Sequence, residues 1–173
     1  MEEHRVGQVL TFHQSKKNKG EKKITMSKTM EFKNVELVTI ANTLGDFKLK
    51  GKASLGRTRL ISKLADKNEE YNDDRIEIQK RYFQVDDKGN LKTDENKKLI
   101  FKEGADVEQG NKEMLDLGKE MAVIDFTEYS TKMTALLKGL EDYEYELSGK
   151  EATVFATVYD QLEKYFGTEE ENE

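Results

Sequence analysis

The chain has 173 residues, 35% of them apolar and 37% charged. An ordinary domain is about 45–50% apolar and about 25% charged, so the length fits one domain with a thin core, built from helices that each bury one stripe. The net charge of −6 is unevenly divided, with 14 basic and 6 acidic residues from Met1 to Lys63 and 15 against 29 thereafter, a front that seeks anions and a rear that repels them.

Residues 1–29 read as a basic mobile arm. Val9-Leu10-Thr11-Phe12 is its one apolar run, and Ser15 to Lys23 is polar and basic. Met26 and Met30 each offer an internal start, which would make the arm an optional extension. Residues 30–167 read as a single helical domain and residues 168–173 as an acidic tail.

Met30-Glu31-Phe32-Lys33 alternates as a short strand does. Asn34 is a good N-cap for a helix carrying Leu37, Ile40, Ala41 and Leu44, with Gly45 to end it. The longest pattern runs from Ser54 to Phe83. Arg57, Ile61, Leu64, Asn68, Tyr71, Arg75, Ile78 and Tyr82 follow alternating steps of four and three, which is a heptad seam with polar members at Arg57, Asn68 and Arg75. One long helix is expected, its seam closed by the C-terminal helices or by a second copy of the chain.

Val85 to Leu91 reads as a turn, and Leu99-Ile100-Phe101 as the return strand of a small protruding hairpin. Gly104 to Glu120 is weakly helical, and Ala122-Val123-Ile124 is a short apolar step. Asp125 with Glu128, then Ser148 with Glu151, resemble capping boxes. They open helices with stripes at Tyr129, Met133, Leu136, Leu137 and Leu140, and at Phe155, Val158, Tyr159, Leu162 and Phe166. No internal repeat is evident. The fold class expected is mainly α: a long charged helix packed on two or three shorter ones, with a small β-hairpin.

Chemistry is sparse. The absence of Cys removes disulfides, thiolate zinc sites and thiol nucleophiles. The two histidines, His4 and His13, both lie in the arm, without the scaffold a metal or catalytic site needs. Gly51-Lys52-Ala53-Ser54 misses the phosphate-loop pattern, having Asp46 where a Gly and Ala53 where a Ser or Thr is required. Asp86, Asp87 and Asn90 lack calcium-loop spacing. No catalytic residue, metal or cofactor is expected.

Two binding constellations remain. Lys48, Lys50, Lys52, Arg57, Arg59 and Lys63 lie in a stretch with no acid between Asp46 and Asp66, beside a helix N-terminus that favours anions. They suit a solvated face, an acidic protein partner or, less well, nucleic acid, since only Phe47 is near for stacking. Tyr143 and Tyr145 form an aromatic pair near a helix end, suited to a protein interface. No apolar run approaches the roughly 20 residues that span a bilayer and no signal peptide is evident, so the expected place is the cytoplasm.

Glu31-Phe32-Lys33-Asn34-Val35-Glu36-Leu37, Leu49 to Ser54 and Arg57-Thr58-Arg59-Leu60 resemble a family of small uncharacterised proteins of phages and prophages of Gram-positive bacteria. Asp87–Asn90, Thr93-Asp94-Glu95 and Glu146-Leu147-Ser148-Gly149 extend the resemblance over roughly residues 30–166. It implies a non-enzymatic accessory protein in a bacterial host cell or a virion, acting by protein–protein contact, in tail or virion assembly. The alternatives are an acidic nucleic-acid mimic that inhibits a host defence protein or nuclease, and a nucleic-acid-binding accessory using the basic half. The arm before Met26 departs from the family pattern.

Overall fold

The computed structural model describes residues 27–167; the basic arm before them, both histidines and the acidic tail lie outside the described residues. The elements in chain order are β1 Thr29–Lys33, α1 Leu37–Asp46, α2 Gly51–Tyr82, α3 Val107–Lys119, β2 Met121–Asp125, α4 Ser130–Glu141 and α5 Gly149–Phe166. Single turns of 3-10 helix sit at Asn34–Glu36 and Thr127–Tyr129. The fold is mainly α, as the periodicities require.

β1 and β2 pair antiparallel, with Met30 opposite Ile124 and Phe32 opposite Ala122. Alternation puts those four side chains inside, while Glu31, Lys33, Met121 and Val123 point outward. The outer edge of β1 is covered by α5, where the Gln161 Oε1 accepts from the Glu31 N–H at 3.2 Å. Asn34 does not cap a helix. Its Nδ2 donates to the Leu117 carbonyl at 2.9 Å and its N–H to the Glu120 carbonyl at 2.9 Å, so it ties the start of α1 to the end of α3.

The 32 residues of α2 make a rod about 48 Å long at 1.5 Å per residue. Its front half is wedged among α1 and α4 along Ala53, Gly56, Leu60 and Leu64, all buried. Two glycines set that approach. A methyl at Gly56 would overlap the Lys132 carbonyl oxygen, and one at Gly139 would lie 2.5 Å from the Ala53 Cβ. Around this crossing, Met133, Leu136, Leu140, Val158 and Leu162 are buried to 1% exposure or less, each contributing on the order of 1.5–3 kcal/mol.

The rear half of α2, from Ala65 to Tyr82, buries no residue fully. It packs on α3, running antiparallel: Tyr82 lies against Gly110, and Tyr71 near Gly118. Together they form a two-helix arm leading away from the core.

At the end of that arm the expected turn at Asp86–Asn90 is present, and Phe101 returns to pair with Phe83 as a hairpin requires. The return runs through a second turn at Asp94–Lys98, giving three paired steps: Val85 with Leu91, Thr93 with Leu99, Phe101 with Phe83. Three backbone hydrogen bonds close into a ring, Lys92 N–H to Gln84 C=O (2.9 Å), Ile100 N–H to Lys92 C=O (3.1 Å) and Gln84 N–H to Ile100 C=O (2.8 Å). These residues are spaced evenly at Gln84, Lys92 and Ile100. An internal repeat therefore exists, contrary to the sequence reading: Asp86 and Asp94 open equivalent turns, and Gly89 (φ +83°) and Lys97 (φ +62°) occupy the same left-handed place in each.

The two expected capping boxes differ from their pattern. Asp125 holds the 3-10 turn instead of α4, accepting from the Thr127 N–H at 2.7 Å. Ser148 precedes α5 without a side-chain cap, and the Glu151 N–H reaches the Ser148 carbonyl at 3.1 Å. At α3 a true cap appears, Asp106 Oδ1 accepting from the Gln109 N–H at 2.9 Å.

Candidate functional site

The six basic residues singled out in the sequence do not make one patch, because residues two apart on a helix face opposite ways. They divide into three environments.

Lys48, Lys50 and Lys52 stand at the start of α2. Lys48 and Lys50 line a hollow of about 350 Å³ together with Ala53, Gly139, Tyr143 and Tyr145. This brings the basic row and the tyrosine pair to one place, which the sequence treated separately. Tyr143 is half-buried, its ring 5.2 Å from Phe47 and 6.2 Å from Phe155, and its hydroxyl accepts from the Lys48 N–H at 3.4 Å. Tyr145 is the exposed member of the pair at 52%. Its ring lies 5.3 Å from Tyr143, and the Lys48 ammonium stands 4.9 Å from its centre. Aromatic rings thus step from core to solvent, with a cation on the outermost. Asp142 and Glu144 also line the hollow, so its charge is mixed.

Arg57 is structural. Its guanidinium donates to the carbonyls of Gly45 (3.4 Å) and Phe47 and to the Ser54 Oγ (3.4 Å). These are carbonyls at the α1 C-terminus, where a cation complements the helix dipole.

Arg59 and Lys63 face the opposite way, toward Tyr129. The Arg59 guanidinium lies 5.6 Å, the Lys63 ammonium 5.8 Å and the Lys132 ammonium 5.1 Å from the Tyr129 ring centre. Lys132 was missed in the sequence, although a residue three after Tyr129 on a helix is its neighbour. Glu128 stands 3.9 Å from Lys63.

The seam residues are placed along α2 in two groups. Leu64 is fully buried and Ile61 packs at the edge of the core. Asn68, Tyr71, Arg75, Ile78 and Tyr82 are half-buried along the rear half, the part that meets α3. Arg75 donates to the Asn72 Oδ1 at 3.2 Å and lies 5.7 Å from the Tyr71 ring centre. The Tyr82 hydroxyl donates to the Glu113 carboxylate at 2.7 Å. Glu113 also accepts from Gln109 at 2.9 Å and pairs with Arg81 at 2.6 Å. The bond to that carboxylate raises the Tyr82 phenol above its ordinary pKa. Hydrogen bonds from Gln109 and then Tyr82 hold Glu113 below the usual carboxylate range.

Among the described residues no group of three or more His, Cys, Asp or Glu could hold a metal ion. The Asp86 carboxylate is engaged within its own turn, accepting from the N–H groups of Asn90 (2.8 Å) and Lys88 (2.9 Å) and from the Asn90 amide (3.1 Å). Those bonds, Asn90's first, keep it below the carboxylate range. No helix among the described residues is long and apolar enough to cross a membrane.

A family model described as a protein of unknown function, DUF1617, matches residues 26–169, and the chain belongs to that family. No curated protein and no solved structure matches it.

Proposed function

We propose that this member of the DUF1617 family is a non-enzymatic bacteriophage accessory protein that works by protein–protein contact in tail or virion assembly. The phage setting comes from the sequence resemblance to small phage and prophage proteins. The mode of action rests on one observation: Tyr145, half-exposed, backed by Tyr143 and topped by Lys48 at the rim of the hollow. An aromatic ring supported from behind has little freedom to lose on binding, and tyrosine is among the residues enriched in interface hot spots. A hollow of mixed charge suits a protein side chain better than a phosphate backbone, which needs cations without intervening carboxylates. No cofactor enters this mechanism.

The test is capture from phage-infected or induced cells with the tagged full chain, beside Tyr145→Ala and Lys48→Glu, read by mass spectrometry. Tail or baseplate proteins should be retained by the native chain and lost by Tyr145→Ala, with unchanged circular dichroism. Retention of a host defence protein or nuclease would replace assembly with inhibition. Retention of nucleic acid alone, released as salt rises, would overturn the protein-contact reading.

A further inference from the structure

We propose that Arg59, Lys63 and Lys132, gathered around the ring of Tyr129, form a docking surface for the acidic segment Glu169–Glu173 of this same chain. One ring face attracts a cation, but three like charges at 5.6, 5.8 and 5.1 Å from one ring centre repel each other. Among the described residues neither Arg59 nor Lys132 makes an ion pair, and Lys63 has Glu128 at 3.9 Å. Asp125 also acts on Lys63, but its carboxylate is already taken by the Thr127 N–H at 2.7 Å and the Ser27 hydroxyl at 3.2 Å. The cluster keeps surplus positive charge, with a guanidinium whose fork matches a carboxylate.

Residues 168–173 carry four glutamates, and the place where they leave the core is close by. The ring of Phe166, the last residue of α5, lies 5.0 Å from the Lys28 ammonium. The Lys28 N–H donates to the Thr127 Oγ1 at 3.0 Å, and Thr127 opens the 3-10 turn that ends at Tyr129. The segment therefore starts at the end of the core that carries the cation cluster. Six extended residues reach about 20 Å. Carboxylates laid there relieve the repulsion among the three cations, and they leave Lys48 and Tyr145, at the opposite end of α4, uncovered.

Zero-length carbodiimide coupling on the dilute full chain, followed by peptide mapping, tests this. The expected result is Lys63 or Lys132 joined to Glu169, Glu170, Glu171 or Glu173 within the monomer. Arg59→Gln, an exposed change that supplies no coupling site of its own, should lose most of that product, with unchanged circular dichroism. Lys52, which is exposed, should stay uncoupled. Equal coupling of the glutamates to Lys52 or to the lysines of residues 16–23 would overturn the proposal, as would no coupling at all. A product found only in the dimer fraction would make a second copy the occupant and overturn the contact within one chain. Retention of DNA by the cluster, unaffected by Glu→Gln changes at residues 169–173, would also overturn it.

Discussion

Gly56→Ala tests the close crossing of α2 and α4 directly. In an open helix the change is favourable by about 0.8–1 kcal/mol, because alanine restricts the unfolded chain more than glycine does. At this position the new methyl would overlap the Lys132 carbonyl oxygen and lie 2.9 Å from the Leu136 Cβ. Neither is the far end of a flexible side chain, so relief requires the two helices to part. Overpacking of this kind costs about 1–3 kcal/mol, and parting also loosens Leu60, Met133 and Leu136, all buried. Subtracting the propensity gain leaves a net destabilisation of up to about 2 kcal/mol, or up to roughly 8 °C in Tm for a chain of this length. The matched control is Gly45→Ala in α1, where an added methyl meets nothing within 4 Å and a gain of up to about 1 kcal/mol is expected. Thermal and urea unfolding followed by circular dichroism should move the two variants in opposite directions. A Gly56→Ala protein as stable as Gly45→Ala would show that the helices are not in backbone contact, and the packing argument would fail.

The basic residues should separate by role: Arg57→Ala should cost about 1.5–3 kcal/mol by removing the charged hydrogen bonds to the Gly45 and Phe47 carbonyls, while Arg59→Ala stays within about 0.5 kcal/mol, both read by urea unfolding. Lys97→Gly should raise stability by up to about 1 kcal/mol, since a left-handed φ of +62° strains lysine and not glycine; a loss would place Lys97 outside that conformation. Tyr82 should titrate above ordinary tyrosine in an ultraviolet phenolate titration, a signal absent from Tyr82→Phe. Its raised pKa means that its contribution to the arm is full below the ordinary tyrosine value and is lost as pH rises through the raised one. Glu113 acts in the opposite sense, its contribution present above the ordinary glutamate value and lost as pH falls through its lowered one. Protection of the α3 amides, measured against their intrinsic exchange rate at each pH, should therefore fall at both extremes, and in Tyr82→Phe at neutral pH as well.

Helical periodicity was readable wherever one stripe of large apolar residues meets one partner, as in α4 and α5. It predicted the existence of α2 but not its burial, because the line that packs is Ala53, Gly56, Leu60 and Leu64, and small residues carry no hydrophobic signal. The expected seam shares only Leu64 with that line, and its members from Asn68 onward lie along the half of α2 that meets α3. Both strands were marked by alternation or apolar character, yet their pairing is long-range and leaves no trace in either segment. Charge reading failed at Arg57 for a definable reason: a run of cations looks solvated until the carbonyls of a helix end are placed against one of them. It failed at Lys132 because a lysine inside an amphipathic stripe is ordinarily solvent-facing. The meeting of Lys48 with Tyr145 depends on α2 and α4 running antiparallel, which brings the start of one helix to the end of the other.

The ring at the arm's end was hidden because backbone bonds alone make it. Gln84, Lys92 and Ile100 share no side-chain chemistry, so a repeat joined through their N–H and C=O groups leaves only the two Asp-led turns as a trace. Its closing step reaches back into α2: the Lys102 N–H donates to the Tyr82 carbonyl at 2.9 Å, and the Lys102 ammonium to the Lys80 carbonyl at 2.8 Å. Both carbonyls lie in the last turn of α2, where no later helical N–H remains to bond them. The ring therefore caps the long helix while fixing where α3 begins. A two-helix arm with no fully buried residue on its α2 side has little apolar area to hold it together. Its alignment draws on the Tyr82–Glu113 and Arg81–Glu113 contacts between the two helices, the Asn34 tie to Leu117 and Glu120 at the core and the hydrogen-bonded ring at the tip. Strain relieved or introduced at Lys97 should accordingly be felt at the Tyr82–Glu113 bond, in the same rigid segment, before it is felt anywhere in the core.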